Sequence, residues 1–285
     1  MRDDDEQDEH EPVDRPLSLI AGIGWGAVAY LAMFLVSSLL VMARPGRATD
    51  LVGLTLCSAL AFAAVAYALM RLHLPTRPLG DALSFRQVSP ILYLVGLLAG
   101  VALLLPAAWV ESLVEARWPY GEEDKRFLDE AFTFNGTFHK AAFAVAAVII
   151  GPAFEDLLFR GVLFRALRRN QSASLTILGT SAAFALAHAG NVRGLPYVLL
   201  GGLVLGLLRE LSGSVLVSLA AHIAYNGVEV GSLLLGWLPG ISDAKATSRL
   251  FAVAGGVVTV LLLAAAAVLG RRLPASRLAR EEDVR

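Results

Sequence analysis

Four long stretches of this sequence contain no charged residue, and they restrict the fold more than any other feature. They cover residues 16–43, 51–70, 90–110 and 250–270. Because an α-helix rises about 1.5 Å per residue, about 20 residues are enough to cross a hydrocarbon core of about 30 Å. Backbone polar groups find no partners in lipid outside helices and closed barrels, and uninterrupted apolar runs favour the helix. The sequence therefore predicts membrane-spanning helices.

The rest of the chain extends this prediction. Apolar residues make up 56% of the 285 residues, and the mean hydropathy is +0.63, which is high for a soluble domain. Residues 140–237 are still strongly apolar, although short loops at 168–171, 190–193 and 209–213 interrupt them. We predict four further helices there, eight in total. The expected fold class is an all-α, polytopic integral membrane protein.

Polar residues inside these apolar segments are the main indication of function. An ionisable side chain at the centre of a membrane helix costs roughly 3 kcal/mol, so a chain that keeps several of them usually needs them for chemistry or transport. The residues concerned are Glu155, Asp156 and Arg160, then His188, then His222 and Asn226. We therefore expect a functional site inside the helical bundle.

Helical spacing separates the first group into two parts. Asp156 and Arg160 are four residues apart, so they share one helical face and can form an ion pair. Glu155 points about 100° away from Asp156 and is left free to act. Pro152 lacks a backbone N–H and is expected to disturb the helix one turn from Glu155.

The second and third groups have the same four-residue spacing. Phe184 and His188 share one helical face, and His222 and Asn226 share another. Counting from the predicted cytoplasmic helix ends, the rise per residue places Glu155 about 20 Å, His188 about 24 Å and the His222 pair about 14 to 20 Å deep. The sequence therefore predicts that the three groups meet in one layer of the membrane.

This ordered set of residues resembles the three motifs of the CPBP family of intramembrane proteases. Relatives in that family include the eukaryotic enzyme that removes the last three residues of prenylated CaaX proteins. The resemblance covers about residues 140–237. It rests on Glu155-Asp156-x-x-x-Arg160, Phe184-x-x-x-His188 and His222-x-x-x-Asn226.

The resemblance implies hydrolysis of a peptide bond within the membrane. Glu155, assisted by His188, would act as the general base that polarises a water molecule. His222 and Asn226 would donate hydrogen bonds to the oxyanion of the tetrahedral intermediate. The implied activity is that of an intramembrane endopeptidase.

The remaining motif residues are expected to support the site. The family pattern usually has two glutamates, and Asp156 stands in place of the second. Since the first glutamate is the catalytic one in the family, this departure affects the geometry of the Asp156–Arg160 pair more than the activity. Asp156 and Arg160 would hold their helix in register, and Phe184 would form an apolar wall of the cavity.

A zinc site is the alternative reading of the same residues. Glu155, His188 and His222 would supply one oxygen and two nitrogen ligands, with water in the fourth position. We favour a site without metal or other cofactor, because no His-Glu-x-x-His helix is present and Asn226 beside His222 suits an oxyanion donor. The single cysteine, Cys57, excludes an internal disulfide and a multi-cysteine metal site.

The expected organisation has five parts. Residues 1–15 form a disordered acidic tail, 16–139 the N-terminal helices and loops, 140–237 the catalytic core, 238–270 a loop with the final helix, and 271–285 a basic tail. Lys and Arg are more frequent in the alternate loops that share a side with both termini, so both termini are expected in the cytoplasm. The composition favours a bacterial inner membrane.

The expected partners are the lipid bilayer and a membrane-associated protein or peptide substrate. A net charge of −1 and the lack of a basic patch argue against nucleic acid. A non-catalytic immunity or scaffold protein of the same fold and an ion-coupled transporter remain alternatives, although no internal repeat supports the transporter. Prenylated CaaX tails, bacteriocin precursors and sorting tails of surface proteins all remain open as substrates.

Overall fold

The computed structural model describes residues 13–44, 50–236, 249–274 and 281–283, and all regular structure in these ranges is helical. The N-terminal half contains α1 Leu19–Ala43, α2 Leu51–His73, the short α3 Leu79–Ala82, α4 Pro90–Arg117 and α5 Glu122–Ala131. The C-terminal half contains α6 Gly136–Arg168, α7 Ala173–Ala187, α8 Leu195–Ser212, α9 Val215–Leu235 and α10 Arg249–Arg272.

The fold class predicted from the sequence is confirmed, but the number of spans needs correction. Six helical segments of the described chain are long and apolar enough to cross a membrane: α1, α2, α4, α6, the segment Val192–Ser212 that contains α8, and α10. The other two predicted spans fall short. Helix α7 has 15 residues, which cover only about 22 Å. Helix α9 has 21 residues, but the polar residues of its middle turns reduce its hydropathy.

Helix α6 is not a regular α-helix. It contains two π-helical stretches, Ala146–Ile150 and Leu157–Leu163, separated by the α-helical Gly151–Asp156. The first stretch ends at Ile150, two residues before Pro152, which fits the disturbance that the sequence predicts there. π-Helical turns are rare and are often found at functional sites.

Two apolar cores lie side by side in the bundle. The first joins buried residues of α1, α2, α6 and α7, and Phe184 belongs to it. The second joins buried residues of α4, α8, α9 and α10, and Ala221 belongs to it. Because Ala221 directly precedes His222, the polar motifs lie where the two cores meet.

Glycines set the positions of α7 and α9. A Cβ atom at Gly100 of α4 would collide with the backbone of Ala221 in α9, and one at Gly26 of α1 would collide with the backbone of Ala183 in α7. Only a residue without a side chain allows these close approaches. Each contact lies next to a motif residue, so the packing fixes both α7 and α9 where the site is built.

The described parts of the two predicted tails contact the arginine-rich end of the bundle. Asp14 pairs with Arg77 at 3.0 Å and with Arg169 at 2.9 Å. Residues 1–12 of the predicted acidic tail lie outside the described residues. In the C-terminal tail, Asp283 is buried and contacts arginines of three different segments. Opposite charges anchor these two positions.

Candidate active site

One cavity of about 200 Å³ receives side chains from all three motifs. Glu155 comes from α6, Phe184 and His188 from the end of α7, and His222 and Asn226 from α9. Helices α4 and α8 complete the wall. The structure thus brings together the residues that the sequence placed in one layer, while Asp156 and Arg160 lie behind the cavity wall, fully buried.

The imidazole of His222 lies between two carboxylates. Its Nε2 is 3.6 Å from Glu155 Oε2, and its Nδ1 is 3.4 Å from Asp156 Oδ1. Adjacent residues of α6 therefore approach the same ring from its two sides. The sequence paired Glu155 with His188 and gave no sign of this arrangement, because the distance between two helices cannot be read from spacing along either one.

Asp156 and Arg160 form the expected ion pair, with Asp156 Oδ1 3.1 Å from an Arg160 guanidinium nitrogen. The guanidinium carbon of Arg160 also lies 4.1 Å from the centroid of the Phe184 ring. A cation over an aromatic face is attracted by the ring quadrupole. Phe184 is thus more than an apolar wall, because it links the buried arginine to the cavity.

His188 caps the end of α7, and its Nδ1 lies 2.8 Å from the backbone oxygen of Phe184. A carbonyl oxygen can only accept a hydrogen bond, so Nδ1 carries the proton in this contact. In the neutral ring the other nitrogen, Nε2, keeps its lone pair. His188 therefore has a proton acceptor left for the cavity that it lines.

Asn226 holds the first π-helical stretch of α6. Its Nδ2 donates to the backbone oxygen of Ala147 at 2.9 Å. That oxygen is available because the Gly151 N–H donates to Ala146 instead, and because Pro152 has no N–H to offer. Pro152 and Asn226, which the sequence analysis treated separately, are therefore linked through one carbonyl group.

Three further residues line the cavity. Glu229 follows His222 by seven residues, a spacing that already placed the two on nearly the same helical face. Tyr197 and Tyr225 also line the cavity, and neither was predicted as a site residue from the sequence. Their phenol hydroxyls could have indicated these two site residues, because each is a polar group on an otherwise apolar helix.

The zinc alternative is tested by the arrangement of its three ligands. Within the described residues, no group of three or more histidine, cysteine, aspartate or glutamate side chains has an arrangement that could hold a metal ion. Nδ1 of His188 faces its own helix, and His222 meets a carboxylate at each nitrogen. The structure thus brings the three residues to one cavity, without a metal-binding cluster among the described residues.

Comparison with known proteins agrees with the motif resemblance. Residues 137–228 match the family model described as Type II CAAX prenyl endopeptidase Rce1-like. The matched segment begins in the first turn of α6 and ends two residues after Asn226, so it contains all three motifs. No curated protein and no solved structure gives a significant match to the chain.

Proposed function

We propose that this chain, an integral membrane protein with a Type II CAAX prenyl endopeptidase Rce1-like domain at residues 137–228, is an intramembrane endopeptidase. It hydrolyses a peptide bond of a membrane-associated protein or peptide close to the bilayer. The observation that carries the proposal is the meeting of all three motifs in one cavity between two apolar cores. Prenylated CaaX proteins are the substrate class to test first.

Glu155 and His188 activate the attacking water in this proposal. Both side chains line the cavity, and Nε2 of His188 has a free lone pair in the tautomer that its contact with Phe184 selects. Glu155 takes the proton of the water as general base, and His188 orients the water from the other side. The proton on Glu155 then passes to the amine of the leaving peptide.

His222 and Asn226 stabilise the oxyanion. Nε2 of His222, on the side of the ring opposite the Asp156 contact, donates its N–H to the oxyanion in this proposal. The amide of Asn226 has two hydrogens, and the contact with Ala147 uses one of them. Each donor aimed at the oxyanion contributes about 3 kcal/mol of transition-state stabilisation.

Glutamate-dependent hydrolysis is proposed in preference to zinc-dependent hydrolysis. The support is that the described residues contain no group of three or more metal-ligating side chains arranged to hold an ion, and that Asn226 shares a helical face with His222, which suits an oxyanion donor. Metal analysis of the purified protein tests this choice. We expect activity that survives removal of zinc by a chelator, and stoichiometric zinc whose loss and return control activity would contradict it.

The test of the function is cleavage by the purified protein in liposomes. The substrate is an internally quenched, S-farnesylated CaaX peptide, and the variants are Glu155→Ala and His188→Ala. We expect both variants to insert and fold but to lose cleavage, whereas Glu130→Ala, at an exposed position on α5, keeps it. Unchanged cleavage in both site variants would reject the assignment.

A further inference from the structure

Glu229 gives the cavity a second carboxylate that the proposed reaction does not use. Its side chain lines the cavity together with Glu155, His188, His222 and Asn226. Its side chain is exposed to the cavity, whereas that of Asp156 on the neighbouring helix is completely buried. Seven residues separate Glu229 from His222, so the two positions lie about 10 Å apart along one face of α9.

Glu229 is not part of a structural ion pair. Three acidic side chains of the described residues do have a cationic partner: Asp156 has Arg160, Glu210 has Arg168, and Asp283 has Arg209. Among the residues that the structure describes, none donates a hydrogen bond to Glu229 or forms an ion pair with it. A carboxylate in a helical bundle without such a partner lowers the stability of the fold unless a ligand or water molecule contacts it.

The surroundings of Glu229 suit a cation. Two tyrosines, Tyr197 and Tyr225, line the same cavity, and aromatic faces attract cations. The lining of this cavity contains no lysine or arginine, while it contains both Glu155 and Glu229. The arginine behind the wall, Arg160, is paired with Asp156. The cavity therefore favours a positively charged side chain near Glu229.

The acidic character continues beside the cavity. A smaller pocket shares Tyr197 with it and is lined by Glu111, Glu115 and Arg193 among others. Arg193 forms an ion pair with Asp124, since one of its guanidinium nitrogens lies 2.8 Å from an Asp124 carboxylate oxygen. Glu111 and Glu115 thus add acidic side chains beside Tyr197, which lines the cavity together with Glu229.

We propose that Glu229 is a specificity-determining residue that binds a lysine or arginine side chain of the substrate. The inference rests on the proposed protease function and names a substrate class for the same cavity. An extended peptide advances about 3.3 Å per residue, so the distance of about 10 Å between Glu229 and His222 corresponds to about three residues. The basic residue lies within three residues of the scissile bond.

A pool of synthetic membrane-anchored peptides tests this inference. Half of the peptides are S-farnesylated, half carry an unmodified apolar segment, and each position around the scissile bond is varied among Lys, Gln and Glu. The purified protein in liposomes digests the pool, and mass spectrometry measures the relative consumption. Because a charge-assisted hydrogen bond is made or lost, we expect Lys to be preferred over Glu by about tenfold or more at one position.

Three variants separate substrate binding from a structural role. Glu229→Gln is nearly isosteric and should bring the Lys-to-Glu ratio at that position close to one, by raising KM for the Lys peptide with little change in kcat. Glu229→Asp keeps the charge and should keep the preference. Glu130→Gln makes the same chemical change at an exposed position and should leave the ratio as in the wild type.

The outcomes distinguish the two proposals. If the wild type cleaves peptides in a Glu155-dependent way and Glu229→Gln leaves the Lys-to-Glu ratio unchanged, the inference is wrong and the protease function stands. A wild-type preference for Glu over Lys would overturn the inference in the same way. If no peptide of the pool is cleaved, the protease function itself is contradicted, and the inference with it.

Discussion

Asp156 contacts both Arg160, its partner in the buried ion pair, and His222, a residue of the proposed reaction. Its Oδ1 lies 3.1 Å from the guanidinium of Arg160 and 3.4 Å from Nδ1 of His222. One carboxylate oxygen thus neutralises a buried cation and orients the imidazole that faces Glu155. Asp156 stands where the family that these motifs resemble usually has a glutamate. Its shorter side chain still makes both contacts.

We expect Asp156→Asn to destabilise the protein strongly. The substitution keeps the shape but removes the charge that compensates Arg160, and an uncompensated buried charge costs about 3–5 kcal/mol. Reversible unfolding in mixed micelles measures the change in the free energy of unfolding. Glu210→Gln, which removes the acid of the partly exposed pair with Arg168, is the matched control and should cost less than about 1 kcal/mol. Equal losses in the two variants would contradict the role given to Asp156.

At the scale of the helix, α6 depends on a partner outside itself. The oxygen of Ala147 has no hydrogen-bond donor from Gly151 or Pro152, and Asn226 of α9 supplies one. A buried carbonyl without a donor costs about 1–3 kcal/mol. The irregular helix and the third motif therefore stabilise one another.

A double-mutant cycle tests this link. Asn226→Ala alone should lower the free energy of unfolding by about 1–3 kcal/mol, because the Ala147 oxygen loses its donor. In a Pro152→Ala background residue 152 has an N–H that can reach the same oxygen, so Asn226→Ala should then cost less. Additive losses in the double variant would show that the two positions act independently.

The C-terminal segment makes a second connection between elements. Asp283 Oδ1 lies 2.7 Å from Arg86 and 3.0 Å from Arg165, and Asp283 Oδ2 lies 2.8 Å from Arg209. The Nε of Arg209 donates in turn to the backbone oxygen of Arg160. Through these contacts a residue beyond α10 braces the second π-helical stretch of α6.

The stability contributed by Asp283 should depend on pH. Burial by itself raises the pKa of this carboxyl, but the charges and hydrogen bonds of Arg209 and Arg86 outweigh burial and lower the pKa below its ordinary value of 3.8. A lowered folded-state pKa stabilises the protein above the unfolded-state pKa, and this contribution is lost as the pH falls through the folded-state value. The cost of Asp283→Asn should therefore stay constant from about pH 5 to 8 and shrink below about pH 4. Unfolding of the wild type and of Asp283→Asn from about pH 3 to 8 measures this cost. A cost that grows as the pH falls would contradict the lowered pKa of Asp283.

The whole molecule has a marked asymmetry between its two ends. Asp14 contacts Arg77 and Arg169, and Asp283 contacts Arg86, Arg165 and Arg209, so the described parts of both tails meet the same arginine-rich end. Positive charge is retained on the cytoplasmic side of membrane proteins. This distribution is consistent with the expectation from the sequence that both tails lie on the cytoplasmic side.

Labelling of single cysteines tests this topology. In a Cys57→Ser background, Ser174→Cys lies at the start of α7 on the arginine-rich end, and Glu123→Cys lies in α5 at the other end; both positions are exposed. A maleimide that cannot cross the membrane should label position 123 in intact cells and position 174 only after lysis. The reverse pattern would invert the proposed orientation.

The sequence predicts the all-α fold class and the motif positions well, and it predicts the number of spans less well. Runs without charge identify α1, α2, α4 and α10 directly, because length and hydropathy are local properties. Runs without charge do not identify α7 and α9 as spans, because α7 is short and α9 carries polar motif residues. Whether such a helix lies in the bilayer depends on the neighbours that cover it.

The sequence by itself determined which residues share a helical face, because the helical repeat fixes this within one segment. Only the tertiary structure decided which helices face each other. Backbone contacts at Gly100 and Gly26 set the positions of α9 and α7 against their neighbours. From that packing follow the two carboxylates around His222 and the exposure of Glu229 to the cavity. Distances between helices depend on side-chain packing across the bundle, which no spacing within one helix contains.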